Sequence, residues 1–481
     1  MSQRFIVTKE HRRFTEFADA VRRGHTIGLC FGSAGVGRTL SARRYAHYEK
    51  AHDLLTYWGP RSDNDAKIYA ALNRSRTVLY TPSVLTTPRT LKDELTQAIT
   101  RTNMCIEQHL VPPGTATPEA WGWRHGRNYV ELIIVDEAGM ASTPNIGSLL
   151  EIAEEAGAVV RFIGDHKQLG AVENGGLFGA MVNASGRSDN QLSEVVRFGG
   201  DSEQSATSLR LREGDSSTFD FYAERGWVNG GARSDMLDKA AADYLADISS
   251  GKTSLLIAAT NRDVAELNET IRAHYIAHGE VDTTVEAQLS RGEQAGVGDT
   301  ILARKNQTFY DDETATSTRI NNGTLMTVTA IADNGSITAR NTATGETLCL
   351  PADYVRDNVQ LGYAATVHRA QGSTVDCTRA VIDHHVDRAG LYVALTRGKL
   401  ANHIYAVTEH QLDELAEEGH YHYQGIDHAP SVRDVFNKAI SRDNSPKAAR
   451  EVIADVVDEQ TSPDRMMGLW LMGKDEATND F

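Results

Sequence analysis

Asp136 and Glu137 stand side by side where an apolar run, Leu132-Ile133-Ile134-Val135, stops abruptly. A buried parallel strand reads this way when its C-terminal end opens on a site. The first carboxylate is placed to hold Mg²⁺, directly or through water. The second is placed to orient and deprotonate a water. The pair is useful only with phosphates opposite, and an upstream loop, Gly32-Ser33-Ala34-Gly35-Val36-Gly37-Arg38-Thr39, can supply them. There, backbone N–H groups at a helix N-terminus wrap the β-phosphate, and the threonine hydroxyl ligates the metal. Gly32, Gly35, Val36, Gly37, Arg38, Thr39 and Leu40 are therefore the expected nucleotide contacts, with Thr39 and Asp136 on the metal. Position 38 departs from the usual lysine. Lysine is a compact charge that reaches the β- and γ-phosphates, whereas arginine is a planar fork that crowds the same space. The expectation is nucleotide binding with weakened hydrolysis.

Three other stretches offer side chains to the same chemistry. Gly164-Asp165-His166-Lys167-Gln168-Leu169 ends a strand in an amide, so Gln168 can sense a γ-phosphate, with His166 and Lys167 facing solvent. Arg197 is the lone cation of Leu192 to Phe198. Arg397 lies near the end of a short helix read over Leu391 to Gly398, where a γ-phosphate contact is expected. Arg304, Lys305 and Arg319 read first as a solvated rim, with phosphate contact as the alternative. Trp121 and Trp123 read as packing a loop rather than stacking on bases, and His420, His422 and His428 as a polar loop rather than a metal site.

The elements that position these residues alternate strand and helix. A helix capped by Thr8 spans 6–22, with Phe14, Phe17, Ala18 and Val21 on one face. Strands follow at 26–31, 76–81, 132–135 and 158–163, with helices at 40–50, 91–99 and 146–155 and a mixed polar stretch at 51–75. A second series begins near residue 200: a helix at 206–223 broken at Gly214, a helix from Met236 to Ile248, a strand at 253–258, and a helix capped by Asn261. Residues 285–355 change to short alternating runs between Gly- and Asn-rich turns, which predicts a small β-barrel inserted in the second α/β domain. The last strands fall at 379–383 and 403–407, and the tail from Pro430 reads as helices followed by disorder.

Composition sets the bounds. Over 481 residues, Lys+Arg 49 against Asp+Glu 65 gives a net charge of −16, which excludes a generic polyanion binder but not a local groove that tracks a strand. The cysteines (Cys30, Cys105, Cys349, Cys377) form no CxxC pair and fit reduced thiols in a cytoplasmic setting. The polar start and the absence of an 18-residue apolar run predict neither a signal peptide nor a membrane span.

Taken together these strings resemble superfamily 1B DNA helicases, most closely the helicase module of TraI/TrwC-type conjugative relaxases. Asp136 to Met140 is similar to motif II, Gly164 to Leu169 to motif III, Leu192 to Phe198 to motif IV, Thr366 to Thr374 to motif V, and Tyr392 to Gly398 to motif VI. The resemblance is continuous from about Glu131 to Val407. Phe5 to Ala46 is more similar to transposition-type AAA ATPases of the TniB/MuB kind, and His11 stands where these helicases carry an adenine-reading glutamine. The two similarities would meet near Tyr129.

The resemblance implies two RecA-like P-loop domains (1–200; 201–284 with 356–410), an SH3-like barrel at 285–355 and a C-terminal tail at 411–481. It implies ATP and Mg²⁺ in the cleft, with Glu137 as base, Gln168 as sensor and Arg197 and Arg397 as fingers. Thr81, Thr366, His368 and Thr374 would touch single-stranded DNA, moved 5′ to 3′. Conjugation or transposition proteins are implied partners. The competing expectation is a nucleotide-dependent DNA-binding regulator that does not unwind.

Overall fold

The computed structural model describes residues 7–56, 65–82, 86–111, 127–171, 175–186, 191–311, 316–409 and 430–444. Trp121, Trp123, His420, His422, His428 and the tail beyond 444 lie outside them.

The first lobe is built on five parallel strands: β1 (Gly28–Gly32), β2 (Thr77–Tyr80), β3 (Leu132–Val135), β4 (Val159–Gly164) and β5 (Gln191–Leu192), in the order β2-β3-β4-β1-β5. All four residues of β3 are fully buried, as a central parallel strand covered on both faces must be. Such side chains contribute roughly 1.5–3 kcal/mol each on burial. The Thr8 hydroxyl accepts the His11 N–H at 3.1 Å and starts α1 (Lys9–Gly24), which sets Phe14, Ala18 and Val21 into the core. Beneath it, the buried Arg161 guanidinium of β4 lies 3.9 Å from the centre of the Phe14 ring and donates to the Phe14 carbonyl at 2.8 Å.

The helix expected at 40–50 is two, α2 (Arg38–Tyr45) and α3 (Tyr48–Thr56), because the chain reverses at His47 with φ +53°. The stretch read as mixed and polar also holds α4 (Ala66–Ser75). Helix α5 (Pro88–Leu110) runs a further eleven residues beyond the expected end at Ile99. Its extension turns polar groups inward, which hides the apolar period. Asn103 Oδ1 accepts the Tyr129 N–H at 2.9 Å, and the Tyr129 hydroxyl donates to Glu107 at 3.1 Å. The lobe closes with α6 (Thr143–Glu155) and α7 (Leu177–Ser185).

The second lobe opens with α8 (Ser202–Glu213) and α9 (Thr218–Glu224), separated at Gly214 as expected. Its own strands and helices come in two blocks. The first is β6 (Val228–Ala232), α10 (Arg233–Ser249), β7 (Ser254–Ala258) and α11 (Asn261–Ala277), the last capped by Thr260 rather than Asn261.

Between the blocks lies an antiparallel insertion. It comprises β8 (Asp282–Gln288), β9 (Gln294–Val297), β10 (Thr300–Ala303), β11 (Gln307–Asp311), β12 (Thr316–Ile320), β13 (Leu325–Ile331), β14 (Ile337–Asn341), β15 (Thr347–Leu350), a short α12 (Ala352–Asn358) and β16 (Val359–Leu361). Five of these strands form one sheet, β15-β14-β13-β10-β16, and the other four form two hairpins. The insertion is longer than 285–355 because β16 pairs back onto β10, Leu361 opposite Ile301. The buried Asp299 carboxylate ties it to the lobe, accepting from Tyr363 Oη at 2.6 Å and Arg272 Nε at 2.8 Å.

The second block is β17 (Ala364–Thr366), α13 (Val367–Ala370), β18 (Val375–Ile382), α14 (Arg388–Ala394), β19 (Gly398–Glu409) and α15 (Val432–Ser441). Its strands complete a second parallel sheet, β17-β7-β18-β19-β6. The α/β reading with parallel sheets flanked by helices therefore holds in both lobes. No helix among the described residues is long and apolar enough to cross a membrane.

Candidate nucleotide cleft and strand groove

The glycine-rich loop leaves the C-terminal end of β1 and feeds α2. A Cβ on Gly32 would sit 2.1 Å from the Leu192 carbonyl oxygen, so only glycine lets β1 and β5 approach there. Gly35 takes φ +84°, and a Cβ on it would meet the Arg197 Cβ at 2.6 Å. The Val196 N–H donates to the Gly35 carbonyl at 3.0 Å, which fastens the segment carrying Arg197 to the loop. Val36 is buried, whereas Thr39 and Leu40 at the start of α2 are not. Gly37, at φ +81°, is the N-cap of that helix.

Thr39 and Asp136 approach each other, the hydroxyl near enough to the buried carboxylate to favour its charged form. Burial and then the neighbouring Glu137 charge push the Asp136 carboxyl up to about 6, against the opposing pull of Thr39 and Arg38. Glu137 follows in the left-handed region at φ 49°, a strained setting for this side chain, and Gln371 Nε2 reaches its carboxylate at 3.5 Å. Two buried oxygens near these groups, Ser33 Oγ on the loop and Gln168 Oε1, have no hydrogen-bond partner among the described residues. An oxygen-rich donor set with unsatisfied members suits a hard divalent cation and a phosphate.

Arg38 does not project outward. Its Nη1 donates to the carbonyl of Gly32 in its own loop, and the side chain is buried. Gln168 is also buried, its amide nitrogen 3.4 Å from Asp165 Oδ2. His166, expected in solvent, is half-buried, edge-on to Phe31 with centroids 6.0 Å apart, because the turn after β4 folds back onto β1. Lys167 pairs with Glu213 at 3.6 Å.

Two further cations lie at the cleft, Arg397 from the second lobe and Arg197 from the segment that follows β5. Arg397 is 1 % exposed, with Nε on the Val393 carbonyl at 3.0 Å and Nη2 on the Thr396 hydroxyl at 3.0 Å. Burial lowers its pKa, while Glu137, Tyr392 and Asp165 act in the opposite sense. It sits in the turn after α14, not within a helix to Gly398, because Gly398 already pairs with Val375 as the first residue of β19. Arg197 donates from Nη1 to the Thr396 carbonyl at 2.6 Å. Burial, then Arg397, pushes its guanidinium down to about 9, still charged at neutral pH.

Sequence reasoning gave no role to the contact that bridges the lobes. The Ala34 N–H of the loop donates to the Tyr392 hydroxyl at 2.7 Å, and that hydroxyl donates to Asp165 Oδ2 at 3.1 Å. Arg212 Nε and Nη2 hold Asp165 Oδ1 at 3.1 and 2.8 Å. Burial alone would raise the Asp165 pKa, but Arg212 and then Arg38 bring it below its ordinary value. Tyr392 and Asp165 lie inside strings already singled out, but which strings touch is a tertiary fact. Arg212, on α8, carried no signal.

On the far side of Glu137 a groove of about 700 Å³ opens between the lobes. Thr81, Thr366 and His368, the residues expected to touch DNA, line it together with Arg304, Arg369 and Ser373. Thr374 lies outside this lining, because the backbone turns at Gly372 (φ +82°) and presents Ser373 instead. The Arg319 side chain falls outside the described residues. Asn306, from the insertion, bridges the groove to Glu94 of α5 at 2.7 Å.

Residues 15–233 match the AAA_30 family model, an AAA domain, and the match runs on through Tyr129. A probable conjugal transfer protein TraA of Sinorhizobium fredii is 27% identical over 281 residues, 57% of this chain and 24% of that one. The chain thus spans about a quarter of the length of these curated relatives. A potential ATP-binding protein of Staphylococcus aureus is 28% identical over 171 residues, 34% of this chain and 59% of that one. Among solved structures, a Pif1 helicase from Bacteroides in complex with ADP-AlF3 and ssDNA superposes with TM-score 0.50 at 16% identity, covering 95% of this chain and 99% of that one.

Proposed function

We propose that this chain, a superfamily 1 helicase fold related to the TraA conjugal transfer proteins, is an ATP-hydrolysing motor on single-stranded DNA. The observation that carries the reading is the approach of Thr39 to Asp136, with Arg197 held on the Thr396 carbonyl beside the buried Arg397 of the second lobe. Thr39 and Asp136 would hold Mg²⁺, which when bound draws charge from the phosphates. Glu137 orients and deprotonates the attacking water, and Gln168 offers its unpartnered oxygen or its amide to the terminal phosphate and water. Arg397 and Arg197 meet the charge that builds on the transferred group, a role worth roughly 10³–10⁵ in rate in related phosphoryl-transfer sites.

Arg38 weakens this chemistry. Its tether to the Gly32 carbonyl holds the guanidinium inside the loop instead of over the terminal phosphate. The same tether favours the second reading, a nucleotide-dependent DNA-binding regulator that does not unwind. Movement 5′ to 3′, a cytoplasmic setting and work beside conjugation or transposition proteins complete the first reading. Steady-state ATP hydrolysis with and without single-stranded DNA, followed by strand displacement on a 5′-tailed duplex, separates the two. Stimulated hydrolysis with displacement supports the motor, and binding without turnover supports the regulator.

A further inference from the structure

Strand β18 ends at Ile382, and the next three residues, Asp383-His384-His385, all carry side chains that ligate metals. In an extended chain successive side chains point to opposite faces. Here the backbone turns instead. Asp383 Oδ1 accepts the His385 N–H at 2.8 Å, and the Val386 N–H reaches the Asp383 carbonyl at 3.4 Å. The turn folds His385 back onto Asp383, with its Nδ1 2.9 Å from Oδ2, and lays the rings of His384 and His385 together, centroids 3.9 Å apart. Asp383, His384 and His385 each offer one ligand atom, and these atoms all lie within 4.8 Å of one another.

Asp383 is 8% exposed, and an aspartate so buried ordinarily carries a lysine or arginine partner. Among the described residues neither type pairs with it; its carboxylate meets only the N–H and the ring of His385. Burial falls away along the string, from buried Asp383 through half-buried His384 to exposed His385, which gives a small ion a way in from solvent. None of the three lines the groove. One carboxylate oxygen with two imidazole nitrogens suits a borderline ion such as Zn²⁺, whereas Mg²⁺ and Ca²⁺ favour oxygens alone, as at Thr39 and Asp136. Bonds of about 2.0–2.1 Å to a tetrahedral ion put its ligand atoms roughly 3.3 Å apart, a separation that small rotations of these side chains reach.

We infer that Asp383, His384 and His385 form a transition-metal site of the Zn²⁺ type that fixes the turn from β18 into α14. Three protein ligands leave the fourth position to water. Asp387, two residues on, caps α14 by accepting the Gly390 N–H at 2.8 Å and faces His368 of α13. Helix α14 carries Tyr392, whose hydroxyl meets the glycine-rich loop, and leads to Arg397. The ion is a clamp at the start of that helix and takes no part in phosphoryl transfer. The site needs neither nucleotide nor DNA, so it stands or falls apart from the motor reading.

The test uses the full chain without an affinity tag, stripped with EDTA and held in millimolar Mg²⁺ to fill the cleft. Zn²⁺ alone is titrated in by calorimetry, and Co²⁺ is followed by its visible absorption. One equivalent of Zn²⁺ should bind, about tenfold or more weaker in H384A and in D383N, and both variants should lose the Co²⁺ bands. H384A leaves both hydrogen bonds between Asp383 and His385 in place, so it covers the case in which D383N does not fold. Zn²⁺ should raise the melting temperature of the native chain by a few degrees and that of H384A by less. Hydrolysis by metal-stripped H384A, assayed with Mg²⁺, should match that of the stripped native chain. A native chain that binds no Zn²⁺ would overturn the inference. So would one equivalent held as tightly by H384A and D383N as by the native chain, which would place the ion elsewhere, as on His274 and His278, whose rings stack on α11. Displacement of Zn²⁺ by millimolar Ca²⁺ would make this a hard-cation site and also overturn it.

Discussion

The cleft and the groove are both rich in arginine, and they treat it differently. In the cleft, Arg38, Arg197, Arg212 and Arg397 are all tied to backbone carbonyls, to the Thr396 hydroxyl or to Asp165. In the groove, the guanidiniums of Arg304 and Arg369 are tied to nothing among the described residues. The cleft is organised in advance for a small, highly charged ligand that must be gripped in one geometry, and electrostatic preorganisation of this kind lowers a barrier. Under the proposed function, loose cations in the groove suit a polymer that must slide, where point-charge attraction suffices and fixed geometry would hinder.

Variants that invert one side of this comparison should separate the two roles. The largest effect belongs to Arg397: R397A should lower kcat by about 10³-fold or more with little change in nucleotide affinity. R197A should act in the same direction, and a kcat within about tenfold of native for either would remove the finger assignment. Next in size, R38K should raise turnover about tenfold by freeing the Gly32 carbonyl and restoring a compact cation, read by steady-state hydrolysis; no gain would show that the arginine is fully competent. Y392F breaks the Ala34–Tyr392–Asp165 relay. It should raise KM for ATP and cut DNA stimulation several-fold while the basal rate stays closer to native, a split that loss of folding would not give.

The smallest effect is on stability. Burial, then Arg379, pushes the His403 imidazole down to about 4. The unfolded chain binds that proton near 6.5, so this contribution is fully present above about 6.5 and is lost as pH falls toward 4. The native chain should melt a few degrees lower at about pH 5 than at about pH 7, and H403F should reduce that difference in a thermal melt.

The same contrast explains what the sequence revealed. The cleft is written in contiguous strings, because a strand end or a glycine-rich turn places neighbouring residues on one ligand. Gly32 to Thr39, Asp136-Glu137 and Gln168 are therefore read directly. The groove is assembled from single residues just after β10 and in α13, and no local pattern joins Arg304 to Arg369. Tyr392 and Arg212 are illegible for a related reason, since both act on partners far away along the chain. In the fold, α5 reads too short because Asn103 and Glu107 face the core, and the insertion too short because β16 belongs to β10 through pairing rather than composition.

The central claim is that the two lobes close on one triphosphate with Glu137 at the reacting end. E137Q, measured in parallel for fluorescent ATP-analogue binding and for single-turnover hydrolysis with saturating single-stranded DNA, tests it most directly. Binding within a few-fold of native, with the hydrolysis step slowed by about 10²-fold or more, is the predicted result. Hydrolysis at the native rate, with nucleotide still bound, would contradict it.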